Sequence, residues 1–165
     1  MTGFVLDLAT LPAGRSTVVL NSDARGLDLA PEDWPGEIKA ELGVEQSGSR
    51  VSVRGQLSGR TRLECVRCLK AFEQTVVPKF EAYAERSGSS RHPSEQDELE
   101  RDGYMLFHDG RRLDLGPVAR ETLLLETPMA PRCREDCRGL CPRCGADLND
   151  GPCGCAPEKA RDPSA

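Results

Sequence analysis

Residues 133–155, CREDCRGLCPRCGADLNDGPCGC, hold six of the chain's eight cysteines, and the other two stand in CVRC as Cys65 and Cys68. Two pairs, Cys65/Cys68 and Cys141/Cys144, share the spelling C-x-R-C, a spacing that lets a tight turn aim two thiolates at one metal ion. Eight thiolates suffice for two complete four-sulfur sites, so zinc, as two ions, is the expected cofactor. The same sulfurs are poor candidates for catalysis, because nothing near them in sequence supplies a general base.

The compartment bears on this reading. No apolar run approaches the ~20 residues that span a bilayer, and the N-terminus MTGFVLDLAT lacks the basic flank and long apolar stretch of a signal peptide. The chain therefore reads as cytoplasmic, without a membrane partner. In a reducing compartment, short knuckle spacings favour metal over the rival account of four disulfides.

Metal would also matter to stability. At 165 residues, with 38% hydrophobic residues, 4% aromatics, 16 glycines and 12 prolines, the chain can build a modest core interrupted by many turns. Structural zinc contributes on the order of 10–16 kcal/mol in finger peptides, more than the whole stability of many small domains.

The net charge of −5 argues against wrapping bare nucleic acid by charge alone. Its distribution is uneven. Residues 21–49 carry 2 basic and 7 acidic side chains and residues 81–110 carry 3 and 8, whereas residues 50–80 carry 7 basic and 2 acidic. The first C-x-R-C thus sits in the most basic part of an acidic chain.

Hydrophobic alternation predicts strands over 3–8, 16–20 and 50–57, with Val51, Val53, Gly55 and Leu57 on one face of the last. Pro31, Pro35, Gly36, Gly43 and Gly48 are expected to break any long element between 21 and 49, where Trp34 reads as a core plug. Ser58-Gly59 would turn the chain into RTRLEC, the CVRC knuckle would form a hairpin tip, and AFEQTVVPKFEAYAE would run back. Arg60, Arg62, Arg67 and Lys70 would then point outward as a small basic surface. A polar stretch at 84–102 reads as a flexible loop containing a solvated His92. A hairpin turning at Asp109-Gly110 follows, with His108 exposed at its tip. Asp114 is expected to cap a helix that buries Val118, Thr122 and Leu125 and ends at Pro128.

The expected fold class is α+β, a mainly antiparallel β-sheet with a helix near the C-terminal third and a cysteine-rich zinc-binding C-terminus. Residues 1–132 would form the β-rich domain, 133–155 a zinc-binding segment packed on it, and 156–165 a disordered tail.

Two divisions of the cysteines are open. Cys141, Cys144, Cys153 and Cys155 can close a local site at least entropic cost, leaving Cys133 and Cys137 for Cys65 and Cys68 across 64 intervening residues. Alternatively the two C-x-R-C knuckles pair as a zinc ribbon. Thiolates alone also admit an iron–sulfur cluster.

The stretches LECVRCLKAF at 63–72, LDLGPVARETLLLETP at 113–128 and CREDCRGLCPRCGADLN at 133–149 resemble the YceD-like family of large ribosomal RNA subunit accumulation proteins. The similarity runs from about residue 50 to 155; the earlier part matches only in general strand character. The resemblance implies a role in accumulation, processing or assembly of large-subunit rRNA and carries no catalytic residues. The expected partners are rRNA or a pre-ribosomal particle, touched through Arg60, Arg62, Arg67 and Lys70, with acidic segments facing basic ribosomal proteins. So few aromatics disfavour base-stacking recognition. Two other classes compete. A thiol-redox protein using Cys65 or Cys141 would need an exposed reactive thiolate, and a zinc-ribbon interaction module would need only the knuckles. A zinc hydrolase would need an open metal position that two all-cysteine sites lack.

Overall fold

The computed structural model describes residues 3–87 and 105–155. Within them lie strands β1 (Val5–Asp7), β2 (Gly14–Ser22), β3 (Ile38–Ser47), β4 (Arg50–Glu64), β5 (Ala71–Val76), β6 (Lys79–Arg86), β7 (Leu106–His108) and β8 (Arg112–Asp114), and helix α1 (Gly116–Glu126). One sheet has the order β2-β3-β4-β6-β7, with β5 paired to β4, and β1 pairs with β8 in a second. β2–β3, β3–β4, β4–β6 and β1–β8 are antiparallel, while β6–β7 is parallel. The fold is α+β and mainly antiparallel. No helix among the described residues is long and apolar enough to cross a membrane.

The chain divides into two compact units, Met1–Arg62 with Glu73–Pro128, and Leu63–Phe72 with Met129–Ala165. The first unit holds the apolar core. Alternate residues Ile38, Ala40, Leu42 and Val44 of β3, Val51, Val53 and Leu57 of β4, and Phe80, Ala82 and Ala84 of β6 are buried, as period-2 patterning requires of one sheet face. Phe4, Leu6 and Leu8 join the same cluster, and Trp34 is a core plug at 4% exposure. Asp33 fixes that Trp by its backbone, its carbonyl accepting from both the Arg62 N–H at 2.7 Å and the Thr61 hydroxyl at 3.1 Å.

Several expectations from the linear pattern are corrected. No turn occurs at Ser58-Gly59, and β4 runs straight through them. Gly59 is small there because Trp34 lies against it, 3.3 Å from where a Cβ would stand. Gly43 does not break β3, since pairing to Thr17 on one side and Arg54 on the other holds it extended. Gly55 answers to a close approach: a Cβ would come 2.0 Å from the Glu41 carbonyl oxygen. The return segment is two strands rather than one, because Pro78 has no N–H to donate.

The expected hairpin at Asp109-Gly110 is not a paired one, as β7 joins β6 while β8 joins β1. His108 is buried rather than exposed. Its Nδ1 accepts from the Gly110 N–H at 3.0 Å, which leaves Nε2 to donate to the Ser49 carbonyl at 3.3 Å. Helix α1 buries Gly116, Ala119 and Leu123, and Leu125 is 79% exposed. The face expected from the i, i+4, i+7 spacing of Val118, Thr122 and Leu125 is therefore rotated off the core, with Val118 and Thr122 only half-buried beside Ala119 and Leu123. The Asp114 carboxylate accepts from the Gly116 N–H at 2.8 Å, although the capping position itself is Leu115. Residues 84–86 of the expected loop continue β6; the rest from 88 to 102, with His92, and the tail 156–165 lie outside the described residues.

Candidate metal centres

The second unit is built on cysteine rather than on carbon. Its buried cluster consists of Cys65, Cys68 and Cys137, with Cys133 and Phe72 packed against it. β4 ends at Glu64 and β5 begins at Ala71, so the six residues between them must reverse the chain. The Cys65 N–H donates to the Lys70 carbonyl at 3.0 Å and the Leu69 N–H to the Cys65 carbonyl at 2.9 Å, closing the knuckle. Leu69 takes a left-handed φ of 58°, an uncommon conformation for a branched side chain and a sign that the turn is imposed on it.

The C-terminal segment is stitched to this knuckle by backbone. The Val66 N–H donates to the Pro131 carbonyl at 2.9 Å and the Leu140 N–H to the Arg67 carbonyl at 3.0 Å. Gly139 is required at that crossing: its φ is 76° and a Cβ would stand 2.8 Å from the Arg67 carbonyl oxygen. Arg67 closes the contact from the other side, its Nη1 donating to the Cys137 carbonyl at 2.7 Å.

These contacts gather the sulfurs of Cys65, Cys68, Cys133 and Cys137 within 4.8 Å of one another, and those of Cys141, Cys144, Cys153 and Cys155 likewise. The ribbon pairing of the two C-x-R-C knuckles is not formed. All eight cysteines are free thiols. In the first tetrad Cys65 and Cys137 sulfurs are 3.8 Å apart and Cys68 and Cys133 sulfurs 3.7 Å. A tetrahedral ion with metal–sulfur bonds of about 2.3 Å sets its sulfurs about 3.8 Å apart, so the tetrad has the dimensions of a single-ion site. A disulfide would need about 2.05 Å.

The second tetrad forms on a tighter piece of chain. The Gly145 N–H donates to the Cys141 carbonyl at 2.9 Å and the Cys141 N–H to the Ala146 carbonyl at 2.8 Å, with Gly145 left-handed at φ 73°. This is the knuckle that glycine after the second cysteine allows. The two tetrads differ in burial. Cys65, Cys68 and Cys137 are buried, whereas Cys144 is exposed and Cys153 and Cys155 are partly so.

Electrostatics is split within each tetrad. The Cys133 and Cys68 backbone N–H groups hold the Cys65 thiol down to about 6, while burial, followed by the neighbouring Cys68 and Cys137 sulfurs, pushes Cys133 up to about 12. In the second tetrad the Cys144 and Arg143 backbone N–H groups lower Cys141 to about 6, and sharing a hydrogen with Cys144, then burial, raises Cys155 to about 12. Four sulfurs this close repel once ionised, and a divalent cation reverses that repulsion. Both tetrads can hold a metal ion.

The four basic residues expected as an open surface have intramolecular partners. Arg60 and Arg62 flank Glu73 at 3.4 and 3.2 Å, and Lys70 pairs with Asp147 at 2.6 Å and Asp150 at 3.7 Å. Arg67 serves the Cys137 carbonyl, as above. Linear reading also passed over Asp147 and Asn149, which lie between Cys144 and Cys153 and bond around the first tetrad. The signal available for them was two short polar side chains, a turn-forming pair, inside a ligand loop.

A strand-rich unit and a cysteine unit with two thiolate tetrads define a β-rich protein able to hold metal ions. More specifically, the chain belongs to the YceD family: the model described as "Large ribosomal RNA subunit accumulation protein YceD" matches residues 53–165. A protein of Mycobacterium leprae (strain TN), described as uncharacterized, is 35% identical over 124 residues, covering 74% of this chain and 54% of its own. An uncharacterized protein of Mycobacterium tuberculosis (strain ATCC 25618 / H37Rv) is 33% identical over 135 residues, covering 81% and 62%. The chain thus spans little more than half the length of these curated relatives. No solved structure matches it.

Proposed function

We propose that this chain is a cytoplasmic, non-enzymatic factor in the accumulation of large-subunit ribosomal RNA, stapled by two zinc ions and binding rRNA or a pre-ribosomal particle. The observation that carries the reading is the family match across residues 53–165, which includes every cysteine. Zinc is favoured because each tetrad gathers four sulfurs within 4.8 Å of one another, and a multi-iron cluster would spread its cysteines over several metal atoms. A structural role is favoured because four thiolates fill a tetrahedral ion and leave no position for substrate or activated water.

Contact with rRNA phosphates through Arg60, Arg62 and Lys70 requires them to exchange carboxylate partners. The pairs of Arg60 and Arg62 with Glu73 are exposed, at 62%, 52% and 38% side-chain exposure, and pairs of this kind hold their partners weakly, whereas Lys70 would have to leave Asp147, which is only 12% exposed. Exchange for phosphate is therefore inexpensive at Arg60 and Arg62 and costlier at Lys70. Co-sedimentation with large-subunit precursors across a salt series tests the reading. Association that weakens with salt supports it; absence from large-subunit particles and rRNA at low salt rejects it.

A further inference from the structure

The loop joining the two halves of the second tetrad carries Asn149, and Asn149 does not point at its own sulfurs. Its Nδ2 lies 3.5 Å from the Cys137 sulfur of the first tetrad. Building on the reading of both tetrads as metal centres, we propose that Asn149 couples them, so that the first ion is held more tightly when the second tetrad is closed.

The orientation of the amide follows from its partners. Asn149 Oδ1 accepts the Arg138 backbone N–H at 2.8 Å, so the oxygen is committed and the nitrogen faces the other way. The two hydrogens of Nδ2 then have two acceptors, Asp147 Oδ1 at 2.7 Å and the Cys137 sulfur. Asp147 is itself fixed: its Oδ1 accepts the Asn149 backbone N–H at 2.9 Å, and its Oδ2 pairs with Lys70 at 2.6 Å. Leu148 N–H donates to the Gly139 carbonyl at 2.9 Å, and Leu140 bridges Asp147. Every polar atom of the Asn149 side chain is thereby placed by a named partner.

The chemistry gives that placement a consequence. Four thiolates around one divalent ion keep a net negative charge, and an N–H donor aimed at a sulfur spreads that charge and orients the ligand. Cys137 is buried, so water does not replace the donor. Asn149 sits between Cys144 and Cys153, and closing the second tetrad on an ion clamps this loop at both ends. Opening the second tetrad releases one clamp and loosens the donor from Cys137.

The test uses the full chain loaded with zinc, titrated with a chromophoric chelator, with ions counted by native mass spectrometry. Cobalt loading gives an independent thiolate absorption signal. Wild type is expected to hold two ions. N149A should still hold two, one of them released at least tenfold more readily, since losing an outer hydrogen-bond partner costs about 10–100-fold in metal affinity. N149D keeps the shape and the acceptor for Arg138 but offers no hydrogen to sulfur, and should lose at least as much. C153S/C155S leaves the first tetrad complete and should weaken its ion by a similar factor, with little added by N149A. Wild-type retention in both Asn149 variants, or a first ion indifferent to C153S/C155S, overturns the coupling while leaving the two-centre reading intact. A wild type that holds no ion rejects that reading itself. Amide hydrogen exchange over residues 63–72 and 129–155 reports whether each variant has kept the second unit folded, and Trp34 emission does the same for the first.

Discussion

The sulfurs of Cys65 and Cys137 stand 3.8 Å apart although the two residues lie 72 positions apart in the chain. Closing so long a loop is entropically costly, and a metal ion held at its neck would offset that cost in one step.

Replacing one sulfur from each tetrad separates the two sites. C65S should bind one ion and C153S should bind one ion, and the double variant none. Native mass spectrometry of the three proteins decides it; loss of both ions from either single variant would contradict the division into two tetrads.

Chelation should act on one unit and spare the other. The apolar cluster of the second unit is four cysteines and Phe72, whereas the first unit buries a continuous apolar cluster of its own. A strong chelator should therefore abolish amide protection over residues 63–72 and 129–155 while Trp34 emission stays unshifted. Hydrogen exchange and fluorescence on the same sample would show this, and a red-shifted Trp34 would mean that the first unit needs the metal.

Charge reversal at Arg60 and Arg62 should weaken association with large-subunit precursors and reduce the salt slope by about 2, roughly one for each lost phosphate contact. E73Q removes their shared intramolecular competitor and should strengthen association instead. If both variants match wild type across the salt series, these arginines are not the contact.

The helix offers a stability test of its register. L123A removes a fully buried side chain and should cost about 2–5 kcal/mol, whereas L125A, at a 79% exposed position, should fall within about 0.5 kcal/mol of wild type. Urea unfolding followed by Trp34 fluorescence measures both.

Much of this was open to a linear reading because its causes are local. Alternation at Phe4, Leu6 and Leu8, or at Val51 and Val53, reflects a side-chain period that any half-buried strand must obey. Cys141-Pro-Arg-Cys144-Gly closes on itself, so its grouping follows from spacing and least loop entropy. Where neighbours across the sheet decided, the pattern misled. Gly43 and Ser58-Gly59 look like breaks and are continuous strand, because paired backbone on both sides outweighs a weak local preference. His108 looks solvated and is buried, because its acceptor and donor are supplied by Gly110 and the distant Ser49.

The chain by itself determined that eight thiols would be arranged for metal, that antiparallel strands would dominate, and which family the second half resembles. Each rests on residue type and short-range spacing. Only the tertiary structure decided that the basic residues near the first knuckle meet Glu73, Asp147 and Asp150, and that Asn149 reaches a sulfur of the other tetrad. Those are contacts between segments far apart in sequence, and their partners are chosen by where the backbone carries them.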